Sequence, residues 1–189
     1  PIQRSIINLD KETGVSIMKI GEKLDAGPVC NNYKIKITTN DNNETLSEKL
    51  SFLAAEKIFD NIDDILNDKL KFKEQNHNKA TYAPKIEKSE GLINWNDSAE
   101  NIIGKINGLY PNPGAWFMYK GERYKILKAE ISSGLGEIGE VLDDYLEITC
   151  NNNKSIKILD IQRQGKRPQN IREFMLGSQI KKGSNLHNA

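Results

Sequence analysis

Long apolar runs are missing from this sequence, and so is a basic and apolar leader at its start. A helix that crosses a membrane needs roughly 20 mostly apolar residues. A secretory leader combines a basic start with an apolar stretch and a small-residue cleavage site. We therefore expect a soluble protein of the cell interior that makes no contact with membranes.

Cysteine is scarce, since Cys30 and Cys150 are the only two in 189 residues. Their spacing matches no metal-binding or redox motif, so we expect no metal site. In a chain without a secretion signal, reduced thiols are favoured over a disulfide. We expect both cysteines to be buried and reduced.

An excess of one charge is also absent, because 27 basic and 26 acidic residues leave a net charge of +1. This balance excludes a protein that coats nucleic acid along its whole surface. The charge is unevenly divided, however: residues 154–182 carry 8 basic and 2 acidic side chains, whereas residues 1–75 carry 11 and 13. In an arbitrary domain such a basic stretch is a solvated surface. If it contacts phosphates instead, the candidate residues are Lys154, Lys157, Arg163, Lys166, Arg167 and Arg172.

The hydrophobic pattern of residues 1–70 is typical of an α/β unit. The apolar residues Ile2, Ile6 and Leu9 have helical spacing, so the opening PIQRSI is typical of the inside of a helix. Because the first residue is also Pro1 rather than Met, we expect a piece of a longer chain. Thr13-Gly14 predicts the end of this element. VSIMKI and VCNNYKIKIT then predict two neighbouring strands, joined by the loop GEKLDAGP.

A long helix is predicted after the second strand. Thr45 and Glu48 have the spacing of a capping box, and the helix should run to about Asn67. We expect it to pack on the sheet through one apolar stripe, formed by Leu46, Leu50, Leu53, Ala54, Ile58, Ile62 and Ile65.

Residues 71–89 are polar and aperiodic, which predicts an interdomain linker, pinned by Tyr82 and Pro84. Residues 90–189 predict a second unit. It opens with a helix that Asp97 can cap and that Pro111-Asn112-Pro113-Gly114 ends. The short apolar stretches WFMY, RYKILKAEI, YLEITC and SIKILDIQR, with turns between them, then predict a small barrel or sandwich. A last helix, NIREFMLG, closes the unit. We expect Trp95, Trp116 and Phe117 to serve packing.

The loop after the first strand contains a candidate catalytic residue, Asp25, in the stretch Leu24-Asp25-Ala26-Gly27-Pro28. Active sites of α/β sheets gather in loops that follow strands. Asp-x-Gly is also ordinary turn chemistry, so the spacing alone leaves a structural role open. The two histidines, His77 and His187, lie in a polar stretch and near the end of the chain, and we expect both to be surface residues.

Several segments resemble formyltransferases that use formyltetrahydrofolate. PIQRSIINLDKETGVSIMKIGEKLDAGPV resembles the stretch that follows their substrate-loop motif. YAPKIEKSEGLINW resembles the domain junction of the methionyl-tRNA formyltransferase family, and NGLYPNPGAWFMYKGERYKILKA the start of its second domain. GKRP and NIREFMLG resemble its carboxyl end. The matches fall in the right order over nearly the whole chain.

This resemblance implies a partial Rossmann-like formyltransferase domain over residues 1–70, a linker over 71–89, and a tRNA-binding oligonucleotide-binding-type β-barrel over 90–189. The implied reaction transfers a formyl group from 10-formyltetrahydrofolate to the amino group of methionyl-initiator-tRNA in translation initiation. We expect a monomer in the cytoplasm of a bacterium or in an organelle of bacterial origin.

The resemblance also implies which site residues this chain contains. The family's catalytic aspartate corresponds to Asp25, and its catalytic Asn and His have no counterpart here, so we expect this chain alone to be inactive. We expect most residues that bind the folate to lie upstream of Pro1, and the sequence therefore offers no candidates for that pocket. Ala26 departs mildly from the family, where Thr is common.

Two alternatives stay open at this point. Sugar-nucleotide formyltransferases, which act on amino sugars, share the L/A-D-x-G loop and can carry a similar second domain, although the YAPKI and GKRP segments favour the tRNA enzyme. In the other alternative, the chain is a non-catalytic tRNA-binding module that uses its basic residues alone.

Overall fold

A computed structural model of the chain describes residues 1–187. The first unit begins with a short helix, continues through two strands, and ends in a long helix with a short continuation. In chain order its elements are α1 (Ile2–Ile7), β1 (Glu12–Met18), β2 (Val29–Lys36), α2 (Asn43–Asp60) and α3 (Ile62–Leu66). Among the described helices, none is both long and apolar enough to cross a membrane.

The opening residues form a helix, as predicted. Helix α1 covers Ile2–Ile7, and the carbonyl oxygen of Pro1 accepts a hydrogen bond from the Ser5 N–H at 2.9 Å, the bond that links residues four apart in an α-helix. Pro1 thus takes part in the first helical turn.

The two strands of the first unit pair in antiparallel order, with Glu12 opposite Lys36. The prediction of two neighbouring strands is thus confirmed. The prediction that Thr13-Gly14 ends an element is wrong, because Thr13 lies inside β1, opposite Ile35. The chain turns earlier, after α1, where Leu9 adopts a φ of +59°.

Helix α2 is capped by Asn42, whose side chain accepts a hydrogen bond from the Thr45 N–H at 3.0 Å. Thr45 Oγ1 accepts the Asn42 N–H at 3.0 Å in return. Thr45 is therefore the third helical residue of the capping box rather than the cap, and Glu48 is not its partner, contrary to prediction. The helix is also interrupted at Asn61 instead of running unbroken to about Asn67.

The apolar stripe of α2 is covered only over its first turns. Leu46 and Leu50 are buried and form a small core with Ile6 of α1. Further along, three members of the predicted stripe expose 45%, 39% and 37% of their surface: Ile58, Ile62 and Ile65. The prediction that the whole stripe packs on the sheet is therefore right only for its beginning.

The second unit, within the described residues, contains two α-helices and five strands. They are α4 (Ala99–Leu109), β3 (Ala115–Tyr119), β4 (Glu122–Ser132), β5 (Glu147–Thr149), β6 (Ser155–Arg163), β7 (Gln169–Asn170) and α5 (Ile171–Met175). The strands form one antiparallel sheet in the order β3-β4-β6-β5, and β7 also pairs with β6. The predicted strands and the closing helix are confirmed. β3 and β5 lie at the two ends of this order, so a closed barrel stays a prediction.

Helix α4 covers the core of the second unit. Its apolar face is buried and includes four large residues: Ile102, Ile103, Ile106 and Leu109. Ser98, not the predicted Asp97, caps the helix, because Ser98 Oγ accepts the N–H of Asn101 at 3.2 Å. Trp95 and Phe117 are buried with ring centroids 5.9 Å apart, which confirms their packing role.

The two units meet where α1 crosses α4. The contact surface of α4 presents Gly104 and Gly108, about one turn apart. A Cβ on Gly108 would lie 2.6 Å from Ile7 Cγ1 and 2.9 Å from the carbonyl oxygen of Gln3. Only residues without a side chain allow the two helix backbones to approach this closely.

The segment between the units contains two short 3₁₀ turns, His77–Lys79 and Lys88–Gly91, and is held in place near its end. Tyr82 is 91% exposed, so the prediction that it pins the linker is wrong. The carbonyl oxygen of Pro84 accepts a hydrogen bond from Arg4 Nε at 3.1 Å. Pro84 therefore helps to fix the linker, as predicted, but it does so through its backbone carbonyl rather than its ring.

Candidate functional site

The loop that contains Asp25 joins β1 to β2. The Lys19 N–H donates to the Pro28 carbonyl at 3.0 Å, which closes the base of the loop. Gly27 lies so close to the Lys19 carbonyl that a Cβ would be 1.8 Å from the oxygen, so only glycine fits. Asp25 has a φ of +54°, in the left-handed region that non-glycine residues rarely adopt. The predicted loop directly after a strand is confirmed.

A side chain that the sequence did not single out reaches this loop. Gln75 Nε2 donates hydrogen bonds to the carbonyl oxygens of Asp25, at 2.9 Å, and Gly27, at 2.7 Å. Its segment is fixed nearby, because Lys73 and Val29 exchange two backbone hydrogen bonds of 2.9 Å. No local pattern marks this glutamine in its polar stretch, so only the fold reveals that residues 73–75 belong to the site.

The carboxylate of Asp25 faces solvent. Within residues 1–187, no backbone or side-chain group donates a hydrogen bond to it. A carboxylate on a fixed loop, with its oxygens unengaged, can accept a proton or order a water molecule beside a substrate. His77 and His187 are both exposed, as predicted, and neither is hydrogen-bonded to Asp25.

Three of the six basic candidates are already paired with carboxylates. Lys154 bonds to Glu100, and Arg163 bonds to Glu122. The third, Lys157, lies 3.8 Å from a carboxylate oxygen of Glu147. The hydrogen bonds from Lys154 and Arg163 lower the pKa of the Glu100 and Glu122 carboxyls. Much of the positive charge of this group is therefore neutralised locally.

The other three candidates, Lys166, Arg167 and Arg172, are exposed. Within the described chain none of them forms an ion pair. The first two lie in the turn between β6 and β7, where the Lys166 carbonyl accepts a hydrogen bond from Gln162 Nε2 at 2.8 Å. Arg172 borders an open depression of about 710 Å³ together with Tyr145 and Lys181. The positive charges of Lys166, Arg167 and Arg172 are therefore available to a ligand.

A separate cleft of about 630 Å³ lies between the two units. Most of its lining side chains are neutral amides and hydroxyls, such as Thr39, Asn42 and Asn107. It also contains the carboxylates of Asp160 and Glu173 and the amine of Lys128. The cleft does not include Asp25, and its carboxylates do not favour phosphate. Because its residues come from distant parts of the chain, no sequence pattern indicated it.

The two cysteines are free, as predicted, but only Cys150 is fully buried. The prediction that Cys30 is buried is wrong, since it is half-buried at the start of β2. Burial raises the pKa of the Cys150 thiol to about 12, with a further contribution from the negative charge of Glu100. Within residues 1–187, no group of three or more His, Cys, Asp or Glu side chains is arranged to hold a metal ion.

Sequence comparison identifies relatives over the whole chain. The chain is 69% identical over 188 residues to a methionyl-tRNA formyltransferase of Pelagibacter ubique, covering 100% of this chain and 61% of that protein. It is 40% identical to a methionyl-tRNA formyltransferase of Thermodesulfovibrio yellowstonii, covering 97% of this chain and 59% of that protein. The chain thus spans about three fifths of the length of these curated relatives.

Solved structures show the same fold at lower identity. HypX from Aquifex aeolicus in complex with tetrahydrofolic acid aligns with a TM-score of 0.71 and 16% identity, covering 97% of this chain and 36% of that one. The N-formyltransferase from Helicobacter canadensis in complex with folinic acid and dTDP-3-aminofucose aligns with a TM-score of 0.70 and 20% identity, over 86% and 60% of the two chains.

Two family models match consecutive parts of the sequence. Residues 1–62, which include the Asp25 loop, match the model described as formyl transferase. Residues 85–179, which include both helices and all five strands described in the second unit, match the model described as formyl transferase, C-terminal domain. The chain therefore belongs to the formyl transferase family.

Proposed function

We propose that the protein carrying this chain transfers a formyl group from 10-formyltetrahydrofolate to the amino group of methionyl-initiator-tRNA in translation initiation. The observation that carries this proposal is the Asp25 loop, whose exposed carboxylate lies in the segment that matches the formyl transferase model. The two sequence relatives, named as methionyl-tRNA formyltransferases, support the tRNA substrate. The reaction would take place in the cytoplasm of a bacterium or in an organelle of bacterial origin.

The reaction explains why a carboxylate is useful at this position. The neutral amine of methionine attacks the formyl carbon, which creates an oxyanion and a cationic nitrogen. A proton must then leave that nitrogen, and the nitrogen of the folate must gain one as it departs. In this proposal the Asp25 carboxylate accepts the amine's proton, directly or through an ordered water. The resemblance implies that an Asn and a His serve as oxyanion donor and acid, and neither has a counterpart in this chain, so residues 1–189 alone should be inactive.

The folate is a co-substrate in this proposal, and the reaction needs no metal. HypX from Aquifex aeolicus was solved with tetrahydrofolic acid and the Helicobacter canadensis protein with folinic acid, which is consistent with a folate donor for this fold. The folate-binding residues are still expected mostly upstream of Pro1. We also propose that the protein acts as a monomer.

The second unit is proposed to be a tRNA-binding barrel of the oligonucleotide-binding type. Lys166, Arg167 and Arg172 are proposed to contact tRNA phosphates directly, because their charges are exposed and unpaired within the described residues. Lys154, Lys157 and Arg163 are proposed to contribute less, because a carboxylate lies beside each.

The experiment that tests Asp25 is its replacement by Asn in the full-length enzyme, which keeps the shape of the side chain and removes its basicity. We expect turnover to fall by several orders of magnitude, while the affinities for folate and tRNA stay nearly unchanged. Asp10→Asn is the matched control, since Asp10 is an exposed aspartate in the same unit, and it should retain full activity. Wild-type turnover of Asp25→Asn would remove Asp25 from the mechanism.

The alternative substrate is an amino-sugar nucleotide, because the Helicobacter canadensis N-formyltransferase was solved in complex with dTDP-3-aminofucose. That protein is 20% identical and supports only a shared fold. Parallel assays of the full-length enzyme with Met-tRNA and with an amino-sugar nucleotide separate the two proposals. Binding of tRNA without formylation of either substrate would indicate the third possibility, a non-catalytic tRNA-binding module.

A further inference from the structure

The Asp25 loop, residues 19–28, makes few contacts of its own. Its base is closed by the Lys19–Pro28 hydrogen bond, and within it the Ala26 N–H reaches the Lys23 carbonyl at 3.4 Å. Most of its side chains are exposed. The backbone of Asp25 has a positive φ, which is unfavourable for a residue with a Cβ. Contacts from outside the loop can therefore add to the stability of this conformation.

Gln75 supplies such a contact from 50 residues away. A single amide nitrogen donates to the carbonyl oxygens on both sides of Ala26, those of Asp25 and Gly27. Both hydrogens of the amide are thus directed at the loop, and the two carbonyls are fixed relative to each other. Asp25 makes no side-chain hydrogen bond within residues 1–187, so what Gln75 fixes is the backbone position from which the carboxylate projects.

The segment that contains Gln75 is itself anchored beside the loop. Lys73 pairs with Val29 at the beginning of β2. The ammonium of Lys19 lies 4.6 Å from the centre of the Phe72 ring, a cation–π distance. Residues 72 and 73 thus contact the same end of the β1–β2 sheet as the Asp25 loop. The backbone that carries Gln75 is fixed there, so its side chain can in turn fix the loop.

We propose that Gln75 is a positioning residue for Asp25, and that its amide fixes the loop backbone from which the Asp25 carboxylate reaches the reacting nitrogen. This inference rests on the proposed role of Asp25 in proton transfer. A misplacement of about 1 Å at a reacting group can cost on the order of a hundredfold in rate. Loss of the two hydrogen bonds should therefore lower kcat and leave the KM values for folate and tRNA nearly unchanged.

The test uses the full-length enzyme with Gln75→Glu, which has the same shape but cannot donate to the two carbonyls. We expect kcat to fall by about tenfold to a hundredfold. Gln75→Lys restores a donor of similar reach and should recover part of the loss. Asn78→Asp is the matched control, because it places the same new charge on an exposed side chain of the same segment, and it should change nothing. Thermal unfolding and tRNA affinity, measured for every variant, identify any that fail to fold.

A double-variant cycle shows whether Gln75 acts through Asp25. In the Asp25→Asn background, Gln75→Glu should no longer lower the residual rate. If Gln75→Glu lowers kcat by the same factor in both backgrounds, the positioning role is overturned while the role of Asp25 stands. The same conclusion follows if folded Gln75→Glu has a normal kcat and Asp25→Asn is inactive. Wild-type turnover of Asp25→Asn overturns both this role and the proposed function of Asp25. Failure of Gln75→Lys to recover any activity, when it folds and binds tRNA normally, also counts against the positioning role.

Discussion

Arg4 and Glu90 form a forked ion pair between the first helix and the start of the second unit. Arg4 Nη1 lies 2.5 Å from Glu90 Oε2, and Nη2 lies 3.0 Å from Oε1. The same guanidinium donates to the carbonyl oxygens of Pro84 and Lys85 at 3.1 Å. One side chain of α1 thus fixes the segment that leads into the second unit.

Replacement of Arg4 by Lys should weaken this connection, because an ammonium cannot reproduce the planar fork. Glu90 is 38% exposed, so solvent screens part of the attraction. We expect the free energy of unfolding to fall by about 1 kcal/mol, measured as a lower urea midpoint. Lys34→Gln, which removes the more exposed Lys34–Glu12 pair, is the control and should have little effect. Equal effects of the two variants would contradict the special role of the fork.

The same pair should make stability depend on pH in the acid range. Hydrogen bonds from Arg4 and from the Glu87 N–H hold the pKa of Glu90 at about 2, below its usual 4.5. The folded state therefore binds this proton less readily than the unfolded state does, so the contribution of Glu90 is complete above about pH 4.5 and is lost as the pH falls toward 2. Urea midpoints of the wild type and Glu90→Gln should differ at pH 7 and converge as the pH falls from about 4.5 toward 2. A constant difference throughout this range would be inconsistent with the linkage.

Sequence patterns predicted the elements of the second unit well, and the reason is physical. The long strands β4 and β6 alternate buried and more exposed residues over much of their length, and α4 has an apolar face with helical spacing. When one side of a strand or helix is buried, its apolar residues must repeat with the period of that element, and this repeat can be read in the sequence. Caps were harder to predict. Asp97 and Ser98 both have suitable oxygens, and only the fold decides that the Ser98 hydroxyl reaches the Asn101 N–H.

Contacts between distant residues could not be predicted from the sequence. Gln75 is 50 residues from Asp25, and Lys154 is 54 residues from Glu100. Neither pair belongs to a periodic pattern, since each depends on how two separate elements meet. The sequence therefore located the loop of the candidate site but not its support, and it grouped six basic residues that the fold divides into paired and unpaired sets.

The crossing of α1 and α4 predicts different effects for two glycine-to-alanine changes. Alanine favours a helix over glycine by about 1 kcal/mol. At Gly108 the new Cβ would lie 2.9 Å from the Gln3 carbonyl oxygen, so the backbone must shift. At Gly104 the nearest backbone atom, the Ile6 carbonyl oxygen, is 3.1 Å away, and the closest contact, at 2.6 Å, is the end of the flexible Leu9 side chain. We expect Gly108→Ala to lower the free energy of unfolding by about 1–2 kcal/mol and Gly104→Ala to change it less. Urea unfolding of both variants tests this, and the reverse order would contradict the packing described.

The two thiols should differ in reactivity. Cys150 is 2% exposed and its pKa is raised to about 12, so at about pH 8 it is neither accessible nor ionised. Cys30 is half-buried at the beginning of β2. A thiol reagent at this pH should label one cysteine in the native protein and both in denaturant, and Cys30→Ser should abolish the native labelling. Rapid labelling of native Cys30→Ser would show that the interior around Cys150 opens readily.

The salt dependence of tRNA binding should separate the unpaired cations from the paired ones. Each phosphate that a protein cation neutralises contributes roughly 0.7–0.9 to the slope of log affinity against log salt. We expect the double variant Lys166→Gln with Arg167→Gln to reduce that slope by about 1.5, because both side chains are exposed and unpaired within residues 1–187.

The matched control for this experiment removes the same amount of charge from the paired set, through Lys154→Gln with Arg163→Gln. Its slope should change less, because Glu100 and Glu122 already neutralise these two cations in the folded protein. Equal reductions in the two double variants would mean that tRNA senses only the total charge of the second unit. An unchanged slope in both would make the basic residues a solvated surface, because no phosphate contact could then depend on them.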